Sequence, residues 1–296
     1  MTGLIGGSSW WSAHRQSPTT LLGSGALPRG GRGVATAWNH HLMPQTPPPS
    51  SADRAPGTTL TGLTLPGTAL RERPELRTTA PGDLRLARCD LTGADLRGLE
   101  LVGTQFLDCT LDGARLNGAA LDETTWRGGS ARGTLFLDAE LTEAVFDGVD
   151  ASDARFGGAL LTEASFTGCR LMGAQFEGSQ GLGFEVRECN LYAANLTGVT
   201  LTGEDLTGLR LTEAVLRGAD VRRAVMDGCV LLNADLYGAN LTGTDLRGAD
   251  LGPLDLDGLR ALKGAIISSG QAGRLLEALV GVSVSDPAPG RHPGSP

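Results

Sequence analysis

Histidine is absent from residues 83–267: all four, His14, His40, His41 and His292, lie outside that stretch. The stretch therefore lacks the side chain that most often moves protons or binds metals near neutral pH. It also has no glycine loop of the phosphate-cradling kind, no CxxC pair and no cluster with zinc-ligand spacing. His40 and His41 stand without further ligands nearby and read as a solvated pair. No apolar run approaches the roughly 20 residues needed to cross a membrane. Residues 1–30 lack the apolar core of a secretory signal. These gaps argue against an enzyme, a metal or cofactor site, and a membrane span.

What the chain has instead is a period. From Leu86 to Ile266, the positions numbered in 1 or 6 hold leucine 22 times and phenylalanine six times among 37. Two residues earlier stands a small residue in 28 of 37 cases, and two residues later glycine in 22 of 36. The unit A-(D/N)-L-x-G reads cleanly at Ala94-Asp95-Leu96-Arg97-Gly98 and Ala239-Asn240-Leu241-Thr242-Gly243. Five fits neither the 3.6 of a helix nor the 2.0 of a strand. One large and one small inward residue per five suit a short flat side followed by a tight corner, where glycine tolerates a positive φ. A single unit cannot bury its own leucine, so units must coil and stack.

This pattern resembles the pentapeptide-repeat family. The resemblance implies an all-β fold, a right-handed quadrilateral β-helix with four units per turn. Residues twenty apart then stack on one side. Phe136, Phe156 and Phe176 should fill one side of the core, and Phe106, Trp126, Phe146 and Phe166 the side opposite, with Ala131 and Ala151 between. Cys89, Cys109, Cys169, Cys189 and Cys229 all occupy the small inward slot, an odd number acting as small hydrophobes. Cys89 should stack on Cys109 and Cys169 on Cys189, free thiols that suit a reducing cytoplasm.

Five segments follow. Residues 1–57 form an aperiodic, low-complexity tail expected to be disordered, and Met43 is a candidate start within it. Residues 58–82 read as a starter coil, with Leu60, Leu65 and Leu70 one residue out of frame, followed by a joining segment. The β-helix spans 83–267. Residues 268–284 read as a capping or dimerising helix and strand, opened by Ser268 and Gln271 at capping-box spacing and closed by Gly281. Leu275, Leu276, Leu279 and Val280 give that helix an apolar face, which either caps the last coil or pairs with a second chain. Residues 285–296 form a second disordered tail. Two departures stand out: Ser179–Glu188 breaks the pattern and predicts a distorted coil, and Glu204 occupies an inward slot where an unpaired charge is costly. Glu204 should turn outward or be protonated.

From Asp83 to Lys263 there are 28 acidic and 16 basic residues. An acidic rod lacks the basic footprint of a nucleic-acid binder, and a protein with a positive face is the more natural partner. Its sharpest feature is Glu123, Glu143 and Glu163 at one corner, with Asp122 and Glu140 close by. The run Leu262-Lys263-Gly264-Ala265-Ile266, leading to Gln271 and Leu275-Leu276-Glu277-Ala278-Leu279, resembles the ending of the fluoroquinolone-resistance pentapeptide proteins. That resemblance implies a homodimer formed through the C-terminal segment, and DNA mimicry toward DNA gyrase. Without it, the reading is a rigid, non-catalytic, acidic protein-binding scaffold.

Overall fold

A computed structural model describes residues 58–64, 72 and 82–285. The tails at 1–57 and 286–296, the joining residues, and Leu65 and Leu70 lie outside the described residues. One side of the coil forms a seven-stranded parallel ladder: β1 (Thr58–Thr61), β2 (Leu84–Ala87), β3 (Gln105–Leu107), β4 (Thr125–Arg127), β5 (Val145–Asp147), β6 (Ser165–Thr167) and β7 (Glu185–Arg187). Phe106, Trp126, Phe146 and Phe166 pair in register at intervals of twenty. The other three sides are carried by single parallel bridges at the same interval, among them Thr110↔Ser130, Arg115↔Leu135 and Ala120↔Glu140. Four columns, each displaced by five residues, close a square coil. Leu60 pairs with Leu86, an offset of 26, so six extra residues enter between the first described strand and the regular frame.

The motif explains its own corners. The N–H of the small residue donates to the carbonyl of the large one three residues back, as Ala94 does to Leu91 at 3.0 Å. The Asp or Asn before the large residue accepts the N–H two residues on, as Asp90 does from Thr92 and Asn195 from Thr197. This Asx bond is why Asp and Asn recur there. The corner residue has positive φ. Where glycine is missing the backbone keeps that conformation, and all twelve non-glycine residues with positive φ stand in this slot. Repetition of the coil overrides the local preference of L-residues.

Inside, two aromatic columns interlock. Phe106, Trp126, Phe146 and Phe166 stack at centroid spacings of 3.9, 5.2 and 4.5 Å, and Phe136, Phe156 and Phe176 at 4.8 Å each. Rings of one column meet the other edge-on at 79–90°. Ala131 and Ala151 are fully buried beside them, the small residues that make room for two stacks. The five cysteines are free and buried, and Cys89 N–H contacts the Cys109 sulfur at 3.5 Å, as Cys169 N–H contacts that of Cys189 at 3.3 Å. Their thiols do more than fill space. Cys109, Cys169, Cys189 and Cys229 each donate to the carbonyl 23 residues back, as the hydroxyls of Thr134 and Thr244 do.

The irregular stretch is a distortion without an insertion. Ser165↔Glu185 and Leu160↔Gln180 keep the twenty-residue register. On the far side of that coil, however, neither Gln180 with Thr200 nor Glu185 with Asp205 forms a bridge among the described residues. Gly181 leaves the large slot empty at φ 124°, Leu182 is thrown outward, and Phe184 turns in against Phe166 and Phe176 at 5.4 and 5.5 Å. Directly beyond this seam, Glu204 is half-buried. Burial and the nearby Glu185 carboxylate raise its pKa, and Arg187 opposes them. Its side chain neither turns fully outward nor finds a hydrogen-bonded partner among the described residues.

The C-terminal end departs from two expectations. The β-helix does not run unbroken to 267, because α1 (Leu256–Ala261) replaces one side of the coil. Pro253 stands in the corner slot, and proline cannot take positive φ. The chain turns one residue early at Gly252 (φ 61°), and Asp255 then caps α1 by accepting from Gly258. The frame resumes one residue late, with Asp245 paired to Ile266. The second helix, α2 (Ser269–Val280), has the expected capping box at Ser268 and a left-handed Gly281 at its end. No strand follows it: residues 281–285 have no regular structure, and Val284 turns back beside Gly273 of α2. The apolar face of α2 is also divided. Leu275 is buried in the core and Leu279 is half-buried, whereas Leu276 and Val280 are exposed.

Candidate protein-binding surface

The expected acidic residues share one side of the square and the corner that follows it. Glu140 lies on the bridge column of Glu100, Ala120 and Leu160, and Glu123, Glu143 and Glu163 occupy the next corner in three successive coils. Asp122 precedes Glu123, and its carboxylate accepts the Thr142 N–H at 3.1 Å, tying neighbouring coils together. Glu100 belongs to the same side. Its place forty residues before Glu140 is the signal that identifies it from sequence. Across residues 99–103, 119–123, 139–143 and 159–163 there are six carboxylates and no basic residue. None of the six forms an ion pair among the described residues. All but the half-buried Asp122 are exposed.

The corner glutamates also have φ of 56–58°. Three consecutive coils thus combine left-handed backbone with like charges stacked about 4.8 Å apart, both unfavourable terms.

Seven arginines are spent within the wall. Arg97 and Arg115 flank Asp95, Arg132 and Arg170 flank Asp150, and Arg217, Arg222 and Arg247 hold Asp235, Asp220 and Asp245. Burial works against ionisation of Asp150, but Arg132 and Ser152 outweigh it and lower its pKa. Arg222 and Arg247 hold Asp220 and Asp245 down at about 2. Such pairs cancel charge locally, so the acidic character of the rod collects in these four coils, and the first arginines on the same side, Arg222 and Arg223, come three coils beyond Glu163.

Nothing in the described residues gathers three or more His, Cys, Asp or Glu for a metal ion. No helix among them is long and apolar enough to cross a membrane. Two of the thiols are poor nucleophiles: burial pushes Cys109 and Cys229 up to about 11. Two open hollows lie beside α1. One of about 500 Å³ is lined by Arg217, Asp235, Tyr237, Asp255 and Asp257, and one of about 700 Å³ by Tyr237, Asn240, Asp257, Arg260 and Lys263.

The family model for pentapeptide repeats matches residues 89–125, 130–179, 189–228 and 216–252, together just over half of the chain. The chain belongs to the pentapeptide-repeat family. No curated protein matches it. Among solved structures, it is similar to a trypsin-treated form of QnrB1, a plasmid-mediated fluoroquinolone resistance protein. That likeness is 25% identical at a TM-score of 0.48, over 69% of this chain and 99% of the other. Full-length QnrB1 is 20% identical at a TM-score of 0.42, over 74% of this chain and 98% of that one. HetL, a pentapeptide repeat protein involved in heterocyst differentiation regulation from the cyanobacterium Nostoc sp. strain PCC 7120, is 24% identical at a TM-score of 0.29, over 72% and 90%.

Proposed function

We propose that the protein is a non-catalytic scaffold that presents its acidic side to a partner protein with a basic face. The observation that carries this reading is the run of six unpaired carboxylates on one side with no basic residue among them. Charge of one sign on a rigid surface raises the association rate of a complementary partner and makes binding salt-dependent.

A second, finer reading takes the partner to be DNA gyrase, engaged by mimicry of DNA. Its support is the spacing of charge. Six carboxylates over four coils of about 4.8 Å give roughly one charge per 3 Å of axis, close to the 3.4 Å per phosphate of one DNA strand. The resemblance of the C-terminal run to the fluoroquinolone-resistance proteins, the class to which QnrB1 belongs by name, agrees with this reading. In the same reading the exposed Leu276, Val280, Val282 and Val284 meet a second copy of the chain. The buried free thiols suit a reducing cytoplasm.

Gyrase supercoiling in the presence of a fluoroquinolone tests the finer reading. Wild-type protein should restore supercoiling, and the triple variant Glu123→Lys, Glu143→Lys, Glu163→Lys should lose the effect most strongly at low salt. Equal behaviour of the two proteins removes any role for the corner glutamates. Absence of any gyrase effect from either leaves only the general scaffold. Sedimentation of wild type against Val280→Glu tests the dimer, which a concentration-independent monomer overturns.

A further inference from the structure

The two ends of the last coil are finished differently. On one side the buried Gln271 of α2 reaches the coil edge, and its amide donates to the Leu246 and Ala249 carbonyls at 2.8 and 2.9 Å. Next to it Gly243 and Leu246 donate to Gly264 and Ile266, both at 2.8 Å. That part of the edge is paired.

The part facing α1 is not. One coil earlier, the N–H groups of Leu216, Gly218 and Val221 donate to Asp235, Tyr237 and Asn240 at 2.8, 3.0 and 3.2 Å. Their equivalents, Leu236, Gly238 and Leu241, have no acceptor among the described residues. The carbonyls of Ala234 and Ala239 likewise lack the donors that serve Ala214 and Ala219. The cause is the helix. Where α1 replaces a flat side, it covers the core side chains, but a helix uses its own N–H and carbonyl groups internally and has none to offer an edge. No residue of α1 is itself buried, and the two hollows open on either side of it, lined by the edge residues themselves.

We propose that the edge from Leu236 to Leu241 accepts a short peptide segment of a partner protein, paired main chain to main chain and bent as the edge is at the Tyr237–Gly238 corner, with a basic side chain placed in the hollow lined by Asp235, Asp255 and Asp257. Main-chain bonds to the unpaired groups supply affinity, and the hollows supply selectivity. Charge decides the occupant of the first hollow: Arg217 pairs with Asp235 and Arg260 with Asp257, which leaves Asp255 as the carboxylate in excess. Tyr237, three-quarters exposed, forms a wall common to both hollows, where it can cover the added segment. Residues 239–241 lie on the same side of the square as Glu140 but four coils beyond Glu163, and none of the six acidic residues lines either hollow, so the test is independent of the scaffold reading.

The probe is the capped peptide acetyl-Thr-Lys-Val-Thr-Val-Thr-amide, with one analogue N-methylated at alternate residues and one carrying Glu for Lys. Hydrogen exchange on the full chain should show fast exchange at the amides of Leu236, Gly238 and Leu241, slowed about tenfold or more by millimolar peptide. N-methylation should weaken binding about tenfold or more, as loss of main-chain bonds requires. The Glu analogue should bind several-fold more weakly at low salt, and Asp257→Lys, an exposed change outside the core, should weaken the parent peptide in the same way. Slow exchange at Leu236, Gly238 and Leu241 without peptide would mean that a second copy or another segment of the chain already fills the edge, and would overturn the proposal. Equal binding of the N-methylated analogue, or binding of the parent without slower exchange there, would overturn it too.

Discussion

Replacing Glu204 by threonine should make this protein more stable. The small inward column through residue 204 holds Thr104, Thr124, Ala144, Ala164, Phe184, Glu204, Ala224 and Thr244, so Glu204 is its one ionisable member. Three terms decide the size. Relief of a half-buried, unpartnered polar group contributes about 1–2 kcal/mol. A threonine hydroxyl here can donate to a main-chain carbonyl, as Thr124 does to Leu121 and Thr244 to Val221, both at 2.6 Å, for about 1 kcal/mol. Loss of one partly buried methylene takes back somewhat under about 0.8 kcal/mol. The net gain is about 1–2 kcal/mol at neutral pH, or roughly 2–8 °C in Tm for a domain of this size.

The gain must depend on pH in a defined direction. The native pKa of Glu204 lies above its ordinary value of 4.5, so the folded state holds this proton more tightly than the unfolded one. Stability from this group is therefore fully present below 4.5 and lost as pH rises through the native pKa. Urea unfolding of both proteins at several pH values should show the advantage of Glu204→Thr shrinking from neutral pH toward the ordinary glutamate range. An advantage that stays constant, or grows on acidification, would refute the assignment of a charge penalty at the seam.

Other outcomes follow from the same geometry. Phe156→Ala, which removes a ring stacked on Phe136 and Phe176 and edge-on to Phe146 and Phe166, should cost about 3–5 kcal/mol in chemical denaturation, and Phe156→Leu clearly less. Gly129→Ala should cost more than about 2 kcal/mol, because its Cβ would lie 2.1 Å from the Cys109 carbonyl oxygen at a φ of +75°. By contrast, Gly133→Ala, with open space around the Cβ and φ +60°, should cost only about 1 kcal/mol. In the native protein Cys109 and Cys229 should resist iodoacetamide at pH 8 and react only after unfolding, as mass spectrometry of the alkylated peptides can show. Fast native labelling would contradict their burial and raised pKa.

The five-residue spacing predicts a stacked coil, and with the four units per turn that the family resemblance implies it also predicts the opposed aromatic columns and the cysteine neighbours, because every side chain with a large or small inward role repeats at a fixed interval. The acidic corner is legible for the same reason: Glu123, Glu143 and Glu163 differ by twenty, and Glu100 yields to the same arithmetic. Pairing of arginines is not legible. Arg132 reaches Asp150 and Arg217 reaches Asp235 from the coil before, whereas Arg97, Arg222 and Arg247 turn back to the Asp two residues earlier. Long side chains choose among such partners by rotamer and neighbour, which periodicity does not encode.

By itself, then, the sequence determined the repeating lap, the content of the core and the side on which charge gathers, since these depend only on residue type and interval. Only the tertiary structure decided how the laps fail and how they end. Whether Gly181 and Phe184 force an insertion or open a seam depends on how the coils on either side pack. That Pro253 yields α1, and that α1 leaves the edge at Leu236–Leu241 unpaired, depends on which backbone groups find partners in space. Those partners are set by contacts between successive coils, and no single repeat contains that information.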